Sequence, residues 1–446
     1  MISIESISQA LIQAGGKPVL VGGSVRDRLL GTLSKDFDLE VYQLSIDAVE
    51  QALKPLGALH AVGKSFGVLK LRNFDISLPR TENKTGQGHK GFIVQTDSEL
   101  SFEQAASRRD FSINAMGIDL ITGELLDPFG GQADLKQGIL RHVSDAFDED
   151  PLRVLRACQF TARFNLQIHA ETLIKCRNLN AELSSLPRER IGEEFKKLLS
   201  AAKPSLGLQA LRETGALCLF PELAALIDCP QDPQWHPEGD VWIHTLMVID
   251  EACKLSDSLT IRLAALCHDL GKPETTRMED GRWRSKNHES AGALPTRQFL
   301  TRLALSEDLI REVIPLVQEH LKPCQLYRVR DQVSSAAIRR LATRVNIENL
   351  CLVAKADFLG RTTEDAKLGI DPSSEWLLEQ AQTLAVHQKG PEPILLGRHL
   401  LEIGFQAGPT LGRVLKKAYE AQLDGAFSTL DEALTWYKNS KESLSK

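Results

Sequence analysis

Residues 21–41 read Val-Gly-Gly-Ser-Val-Arg-Asp-Arg-Leu-Leu-Gly-Thr-Leu-Ser-Lys-Asp-Phe-Asp-Leu-Glu-Val, and this stretch decides how the N-terminal part of the chain folds. Gly22 and Gly23 allow the backbone to approach a phosphate closely and to offer it free N–H groups. Arg26, just behind the glycines, supplies a planar guanidinium for a phosphate oxygen. The stretch therefore predicts a phosphate-binding turn followed by a strand.

Two aspartates at the end of this stretch predict a metal site. Asp36 and Asp38 flank Phe37 on the predicted strand, so both carboxylates point to the same face. Such a pair suits Mg²⁺, which usually takes one or two carboxylates together with substrate phosphates. A Gly-Gly turn alone, or an Asp-x-Asp pair alone, is also compatible with an ordinary surface. Because the two lie so close together, they favour a site for a nucleoside triphosphate and divalent cations.

The composition is that of an ordinary globular protein of two to four domains. The chain has 446 residues, of which 42% are hydrophobic and 25% charged, and its length exceeds that of one ordinary core. No apolar run is long enough to span a bilayer, and the N-terminus lacks a secretory signal pattern. The eight cysteines form no C-x-x-C pair, which predicts reduced thiols in a cytoplasmic protein. A net charge of −6 does not indicate nucleic-acid binding, but local clusters of Arg and Lys leave it open.

The pattern along the chain predicts an α+β head followed by a helical remainder. A helix is expected over residues 4–14, and a polar, glycine-rich mobile loop is expected between Pro79 and Gly91. Short apolar or alternating runs predict strands over residues 18–21, 36–42, 68–71, 75–78, 92–95 and 113–119. From Asp148 onward the pattern is helical, and no strand is expected after about residue 150. Proline and glycine clusters predict junctions at residues 200–240 and 360–393.

Further polar residues of the head suit a nucleotide. Arg109 and Asp110, with Asn114 a few residues on, are good partners for a triphosphate and for ribose hydroxyls. Alone, this string would equally suit the start of a helix. Asp75 follows on a strand that could lie beside the Asp-x-Asp pair, where it would be a metal ligand, a base or a strand-end residue.

A third group suits the recognition of one base edge. Asp150, Arg153 and Arg156 follow at i, i+3 spacing on a predicted helix that begins near Pro151, so they share one face. Cytosine and adenine both present an amino donor beside a ring-nitrogen acceptor, which Asp150 and Arg153 can match. Guanine and uracil present the opposite pattern, and the unmatched polar groups would reject them. The alternative is a surface salt bridge of small energetic value.

Together these segments resemble the class II tRNA nucleotidyltransferases, the CCA-adding enzymes, which share their head with bacterial poly(A) polymerases. The resemblance is carried by Gly-Gly-x-Val-Arg-Asp at 22–27, Asp-x-Asp at 36–38, Arg-Asp-Phe-x-Ile-Asn-Ala at 109–115, Asp-Pro-Phe-Gly-Gly at 127–131, Glu-Asp-x-x-Arg-x-x-Arg at 149–156 and Leu-Pro-Arg-Glu-Arg-Ile at 186–191. It implies a polymerase-beta-like head in which the two aspartates bind catalytic Mg²⁺. It also implies that Asp150 and Arg153 select CTP and ATP without a template. Gln159 departs from the family, which usually carries arginine there.

A second constellation lies further along the chain. It consists of His244, His268, Asp269, His288, His320 and Asp357. Nitrogen and oxygen ligands without thiolate favour Mg²⁺, Mn²⁺, Ni²⁺ or Zn²⁺. The order His, His-Asp, Asp resembles the HD phosphohydrolase superfamily, and residues 235–245 are similar to HD domains fused to CCA-adding enzymes.

This second resemblance implies a metal-dependent hydrolase. His244, His268, Asp269 and Asp357 would hold a divalent metal, and His288 and His320 would allow a second one. The substrate would be a phosphomonoester or a 2′,3′-cyclic phosphate.

Joined, the two resemblances predict a CCA-adding enzyme with a C-terminal HD domain. We expect the head over residues 1–145, a helical neck and body that select the base and bind tRNA over 146–235, the HD domain over 236–360 and a helical tail over 361–446. The predicted nucleotide-binding residues are Gly22, Gly23, Arg26, Asp27, Arg109, Asp110, Asn114, Asp150, Arg153, Arg156 and Arg163. The expected partners are CTP, ATP and the tRNA acceptor arm, while the sequence leaves monomer and homodimer open.

Several alternatives share these motifs. A CC-adding or an A-adding enzyme would carry all of them, although the long segment between Asp75 and Arg108 disfavours a CC-adding enzyme if such enzymes have a shortened loop. A poly(A) polymerase is disfavoured by the acidic balance and the HD domain. From another class, the head could be an inactive RNA-binding platform for the hydrolase, which the intact pair Asp36 and Asp38 disfavours.

Overall fold

The computed structural model describes residues 2–32, 36–62, 68–84 and 92–444. The chain divides into two compact units, residues 1–221 and 222–446. The four-way division expected from the sequence is finer than this and stays a prediction. Among the described residues, no helix combines the length and the apolar character needed to cross a membrane. All eight cysteines are free thiols, as predicted.

Unit 1 contains most of the β structure. Its strands are β1 (Lys17–Val21), β2 (Phe37–Tyr42), β3 (His60–Val62), β4 (Val68–Leu71), β5 (Phe74–Ser77), β6 (Arg80–Lys84), β7 (Phe92–Thr96), β8 (Gly117–Asp119), β9 (Leu125–Leu126), β10 (Ile139–Leu140) and β11 (Gln167–Ile168). Its helices are α1 (Ile4–Gln13), α2 (Gly23–Leu29), α3 (Ile46–Leu53), α4 (Phe102–Ala106), α5 (Gly131–Gln137), α6 (Leu152–Phe164), α7 (Ala170–Asn178), α8 (Arg188–Leu199) and α9 (Pro204–Thr214).

A seven-stranded mixed sheet forms the head. Its strand order is β3-β4-β5-β2-β1-β8-β9, in which β2 and β5 are parallel and the other neighbours antiparallel. Apolar side chains of α1 and α3, including Leu11 and Leu53, pack with Leu39 and Ile76 of the sheet in one buried core. The predicted α+β head with a mixed sheet is therefore confirmed.

Two local predictions in the head are wrong. Residues 113–119 do not form one strand, because Ser112–Asn114 is a 3₁₀ turn and β8 begins only at Gly117. The backbone N–H groups of Asn114 and Ala115 donate to the carbonyls of Phe111 and Ser112, at 2.9 and 3.0 Å, and so close this turn instead of pairing with a strand. Within the predicted loop between Pro79 and Gly91, residues Arg80–Lys84 instead form strand β6, which pairs with β7. Residues 85–91 of the predicted loop lie outside the described residues.

Helix α6 follows the head and packs against α8 and α9. Asp150 Oδ1 accepts a hydrogen bond from the Leu152 N–H at 3.1 Å, which caps the helix at its start. The helix ends at Asn165, whose left-handed conformation (φ 53°) stops the chain from continuing. The predicted helix start near Pro151 is therefore confirmed.

Unit 2 is almost entirely helical. Its helices are α10 (Pro221–Ala224, which begins at the boundary), α11 (Val241–Leu255), α12 (Leu259–Cys267), α13 (Lys272–Thr275), α14 (His288–Ala291), α15 (Ala293–Arg302), α16 (Glu307–Glu319), α17 (Lys322–Arg328), α18 (Ser335–Ala342), α19 (Ile347–Leu359), α20 (Glu364–Lys367), α21 (Pro372–Thr383), α22 (Gly397–Glu402), α23 (Pro409–Leu423) and α24 (Leu430–Leu444). Helix α11 packs against α12 and α19, and α12 packs against α16.

The expectation of no strand after residue 150 is wrong. In unit 1, β11 pairs with β10. In unit 2, β12 (Thr276–Glu279) and β13 (Arg282–Ser285) form an antiparallel hairpin. Its turn residues Asp280 and Gly281 both have positive φ (50° and 73°), which is the two-residue hairpin turn that Asp-Gly favours.

Candidate functional site

A cavity of about 640 Å³ in unit 1 gathers most of the predicted head residues. Those that line it are Gly22, Gly23, Arg26, Asp38, Arg109, Asp110, Asn114, Asp150, Arg153, Arg156 and Arg163. Nine basic side chains and four carboxylates line it in total. The cavity is therefore locally positive although the chain as a whole is acidic, and it suits an anionic ligand.

The glycine turn closes one side of this cavity. Gly22 has a positive φ of 70°, and a Cβ there would lie 3.1 Å from Arg109 Nη1, so both conformation and space require glycine. The Gly22 N–H is not free for a ligand, because it donates to the Met116 carbonyl at 3.2 Å. The backbone N–H of Gly22 is therefore used in a hydrogen bond within the protein.

A buried chain of polar side chains connects this turn with α6. Arg26 Nη1 donates to Asn114 Oδ1 at 2.6 Å, and Asn114 Nδ2 donates to Asp110 Oδ1 at 3.0 Å. Arg156 Nε donates to Asp110 Oδ2 at 2.7 Å. Burial raises the pKa of Asp110, but the charge of Arg156 and the Asn114 hydrogen bond outweigh it and lower the pKa. Asp27 does not line the cavity; it accepts from Arg26 Nε at 2.9 Å.

The carboxylates of the sheet lie at the cavity edge. Asp38 on β2 is directly opposite Asp75 on the parallel strand β5, where the sequence expected it. Two effects raise the pKa of Asp38: partial desolvation, which is the larger, and the negative charge of Asp75. The Asp38 side chain nevertheless remains exposed. Asp75 itself is half exposed and lies 3.4 Å from Lys70 Nζ. Asp36 lies just before β2 and does not line the cavity.

Asp150 and Arg153, which were predicted to read the base, share the cavity with Arg156, but the three residues differ in their partners. Asp150 Oδ2 accepts from Arg190 Nη2 at 3.0 Å. Arg153 donates to the backbone carbonyls of Ala146 and Arg108, at 2.5 and 2.7 Å. These contacts hold Asp150 and Arg153 in place, whereas Arg156 is committed to the buried chain described above.

Sequence reasoning missed several residues of this cavity. Glu40 follows Asp38 on the same face of β2, and its Oε1 lies 2.7 Å from Arg109 Nη2; the Asp-x-Asp-x-Glu spacing was the available signal. Arg190 and Lys197 of α8 also line the cavity. Gln159, which stands where the family usually has arginine, accepts from Arg163 Nη1 at 3.3 Å.

The second constellation also converges, within unit 2. His244 Nε2 lies 3.1 Å from Asp357 Oδ1, and His268 Nε2 lies 3.1 Å from Asp269 Oδ2. His288 Nε2 lies 3.3 Å from Asp269 Oδ1 and 3.3 Å from His320 Nε2. All six side chains are buried. Within the described residues, every group of three such side chains whose ligand atoms lie within 4.8 Å of one another is in unit 2.

Backbone carbonyls orient three of these histidines. His268, His288 and His320 each place Nδ1 at 2.7 Å from the carbonyl oxygen three residues earlier, in Ala265, Ser285 and Val317 respectively. A carbonyl only accepts hydrogen bonds, so Nδ1 carries the proton and Nε2 presents its lone pair to the centre. Fixing the tautomer in this way is typical of histidines that bind metals.

The centre has the unmet polar atoms that a cation would satisfy. His268 Nε2 and both carboxylate oxygens of Asp269 are buried without a hydrogen bond of acceptable geometry among the described residues, although Lys272 Nζ lies 2.7 Å from Asp269 Oδ2. Arg361 Nη2 lies 2.8 Å from Asp357 Oδ2. Since orphaned buried groups are costly, this donor set fits one or two divalent metal ions.

A cavity of about 450 Å³ opens onto this cluster. It is lined by His288, His320, Asp357 and Lys272, and also by His236. His236 and the nearby Glu238 lie within residues 235–245 but were not predicted as site residues. Their signal was chemical, namely a histidine and a glutamate eight and six positions before the proposed metal ligand His244.

Family models match three parts of the chain. The poly A polymerase head domain matches residues 19–141, the probable RNA and SrmB-binding site of polymerase A matches residues 165–227, and the HD domain matches residues 241–361. The nucleotidyltransferase and HD families generally use divalent metals, which agrees with the donor sets described here.

Known proteins are similar to the chain over nearly its whole length. The multifunctional CCA protein of Xanthomonas campestris pv. campestris (strain B100) is 37% identical over 427 residues, which cover 92% of this chain and 99% of that protein. The structure of the Bacillus stearothermophilus CCA-adding enzyme in complex with CTP has a TM-score of 0.68 at 22% identity, covering 99% of this chain and 98% of that one. The structure of the Thermotoga maritima CCA-adding enzyme complexed with tRNA has a TM-score of 0.58 at 21% identity, covering 96% and 93%. The chain therefore belongs to the family of the multifunctional CCA proteins and is a tRNA nucleotidyltransferase whose residues 241–361 match the HD domain.

Proposed function

We propose that the head of this protein adds CCA to the 3′ end of tRNA from CTP and ATP, with release of pyrophosphate. One observation carries this proposal: a single cavity contains the glycine turn, Asp38, and the pair Asp150 and Arg153. Membership of the CCA family supports it. The relatives in complex with CTP and with tRNA have the same fold.

Asp36 and Asp38 are proposed to hold catalytic Mg²⁺. The position of Asp38 directly opposite Asp75 on the neighbouring strand supports this role, because a cation would relieve the repulsion between the two carboxylates. When bound, divalent ions favour ionisation of the tRNA 3′-hydroxyl and neutralise the triphosphate. In the reaction the 3′-hydroxyl loses its proton to solvent, its oxygen bonds to the α-phosphorus, and the bond from that phosphorus to pyrophosphate breaks.

The remaining cavity residues position and select the nucleotide. Gly23, Arg26 and Arg109 are proposed to orient the triphosphate. Asp150 accepts from the exocyclic amine of cytosine or adenine, and Arg153 donates to the ring nitrogen beside it. The other predicted residues, Gly22, Asp27, Asp110, Asn114, Arg156 and Arg163, complete the nucleotide site or support it from behind.

The tRNA is proposed to bind along the helices after residue 160 through its acceptor arm. Basic residues of α8, among them Arg188, Lys196 and the cavity-lining Lys197, are suited to phosphate contacts. The match to an RNA-binding model over residues 165–227 supports this placement. A protein with this substrate is expected to act in the cytoplasm.

The decisive experiment measures incorporation of labelled CTP or ATP, with Mg²⁺, into three tRNA transcripts. They lack CCA, end in CC, or are complete. CCA completion on the first transcript is the expected result, and no incorporation on any transcript would overturn the proposal. AMP addition confined to the CC end would indicate an A-adding enzyme, CMP addition alone a CC-adding enzyme, and long A tails a poly(A) polymerase.

A second activity is proposed for unit 2, namely metal-dependent hydrolysis of phosphomonoesters or 2′,3′-cyclic phosphates. The orphaned atoms of His268 and Asp269 favour it. His244, His268, Asp269 and Asp357 would hold Mg²⁺, Mn²⁺, Ni²⁺ or a similar ion, with His288 and His320 available for a second one. When bound, the ion supplies a Lewis acid for a phosphoryl oxygen and lowers the pKa of water.

Asp269→Ala tests the hydrolase proposal. We expect 2′,3′-cyclic phosphodiesterase activity to disappear while nucleotide addition continues. Loss of both activities together would contradict two separate sites. Hydrolysis without any nucleotide addition by the unmodified protein would instead support an HD hydrolase with an inactive RNA-binding head.

A further inference from the structure

One buried carboxylate in unit 2 faces two histidines. Glu238 lies in the segment before α11 with only 1% of its side chain exposed. Its Oε1 accepts a hydrogen bond from His236 Nδ1 at 3.0 Å. The same oxygen lies 2.9 Å from His244 Nδ1, an ion-pair distance at a poor hydrogen-bond angle. Its Oε2 accepts from the Thr362 N–H at 3.2 Å, so the carboxylate is anchored on both sides.

The two imidazoles face different surroundings. His244 is fully buried, and its opposite nitrogen Nε2 points to Asp357 among the proposed metal ligands. His236 lines the cavity that opens onto the metal cluster. The rings meet edge to face with their centroids 4.6 Å apart, so the orientation of one restricts the orientation of the other.

We infer that Glu238 is a positioning residue that fixes both histidines, His244 for the metal and His236 for the substrate. A carboxylate accepts only from a protonated Nδ1, which leaves Nε2 of each ring as a lone-pair acceptor. His236 is then available in the cavity as an acceptor for a substrate hydroxyl beside the phosphate. This inference rests on the proposed hydrolase activity and names the residue that would position two of its histidines.

The first test measures metal affinity and needs no turnover. Full-length protein stripped of metal is titrated calorimetrically with Mn²⁺. Glu238→Ala should weaken binding by about 10- to 100-fold, the usual cost of removing the partner of a metal-binding histidine. Glu238→Gln should lose less because it keeps an oxygen acceptor, and His236→Phe should bind as tightly as the unmodified protein. Wild-type affinity in Glu238→Ala, with thermal unfolding unchanged, would overturn the positioning role.

The second test separates the substrate contact from the metal. His236→Phe keeps a ring beside His244 but removes the acceptor, and we expect KM for a ribonucleoside 2′-phosphate to rise about tenfold, the value of one hydrogen bond. Its KM for phenyl phosphate, which has no hydroxyl beside the phosphate, should not change. His236→Asn, which restores an acceptor, should recover part of the loss. Equal effects on both substrates would overturn the contact between His236 and a substrate hydroxyl.

The controls distinguish this inference from the hydrolase proposal. Glu251→Gln, on the same helix as His244 but outside the cluster, should match the unmodified protein in every assay. If the unmodified protein binds Mn²⁺ but hydrolyses neither ester, the hydrolase proposal fails, and the metal titration still decides the role of Glu238.

Discussion

The head cavity and the HD cluster place carboxylates for metals in two different ways. In the head, Asp38 is exposed at the cavity edge beside Asp75, and Asp36 lies outside the lining. In the HD cluster, six buried side chains already bring their ligand atoms together. The two arrangements therefore favour the proposals that a metal in the head depends on ligands that a triphosphate brings, and that the HD cluster can bind a metal alone.

The other charged side chains around the two sites also differ. Basic side chains outnumber carboxylates around the head cavity, so the protein offers mainly countercharge for a phosphate chain. In the HD cluster, Lys272 and Arg361 each contact one ligand carboxylate, and the histidines supply neutral nitrogen atoms. The charges of the head cavity therefore suit an anionic substrate, and the donor atoms of the HD cluster suit a cation.

The largest effect is expected from Asp38→Asn, which tests the head side of this comparison. Loss of one metal ligand should reduce CMP incorporation into tRNA by about 1,000-fold or more. The HD hydrolase should be unaffected because its ligands lie in the other unit. Steady-state assays of both activities on one preparation measure this.

Asp47→Asn provides the matched control for that substitution. Asp47 is an exposed aspartate on α3, away from the cavity, and its replacement should leave both activities intact. A fully active Asp38→Asn protein would contradict the proposed metal site in the head.

Asp269→Asn tests the HD side. Because Asp269 contacts both His268 and His288, its loss should weaken Mn²⁺ binding in the absence of nucleotide by about 100-fold or more. In contrast, Asp38→Asn should alter only the Mn²⁺ binding that requires CTP. If nucleotide-free binding proves sensitive to Asp38 instead, the comparison between the two sites is wrong.

The elements of the fold could be predicted where local pattern and tertiary packing agree. The Asp-x-Asp strand, the neighbouring strand of Asp75 and the helix after Pro151 all follow from alternation or capping. The prediction failed at residues 113–119, because the backbone N–H groups of Asn114 and Ala115 bond to carbonyls three residues earlier and not to a neighbouring strand. It also missed the hairpin around Asp280 and Gly281, whose turn signal lies inside a region of helical pattern.

The sites were predictable in their residues more than in their contacts. Residue type and spacing indicated Asp150 and Arg153 as base-reading groups, yet nothing local could reveal that Arg190, forty positions away in the chain, holds Asp150. Likewise, spacing could not show that Arg156 is committed to Asp110. Such pairings are created by the packing of α6 on α8 and on the head, which one sequence does not display.

A smaller effect is expected from Asp150→Asn, which tests whether the head cavity selects its base through this carboxylate. The amide keeps one oxygen acceptor but adds an N–H₂ donor, so it can tolerate a carbonyl in place of the exocyclic amine. We expect discrimination between CTP and UTP to fall by about 100-fold, with a smaller loss of CTP incorporation. Competition assays on tRNA lacking CCA measure the ratio. Unchanged discrimination would assign base selection to other residues.

The smallest effect concerns stability, and it tests whether desolvation and the neighbouring carboxylate Asp75 disfavour the charged form of Asp38 without a cation. The pKa of Asp38 is raised in the folded state, so protonation of Asp38 stabilises the fold relative to its charged form. This stabilisation is fully present below the unfolded pKa of about 3.9 and is lost as pH rises through the folded pKa. Asp38→Asn resembles the protonated form and should unfold at a higher temperature than the unmodified protein at pH 7 in EDTA. The difference should vanish below pH of about 3.9, and Mg²⁺ with CTP should reverse its sign, because only the unmodified head gains the bound ions. Differential scanning calorimetry across this pH range measures the difference in unfolding temperature. A less stable Asp38→Asn protein at pH 7 in EDTA would contradict the prediction, because the charged carboxylate would then be stabilised by contacts within the protein and not by an ion.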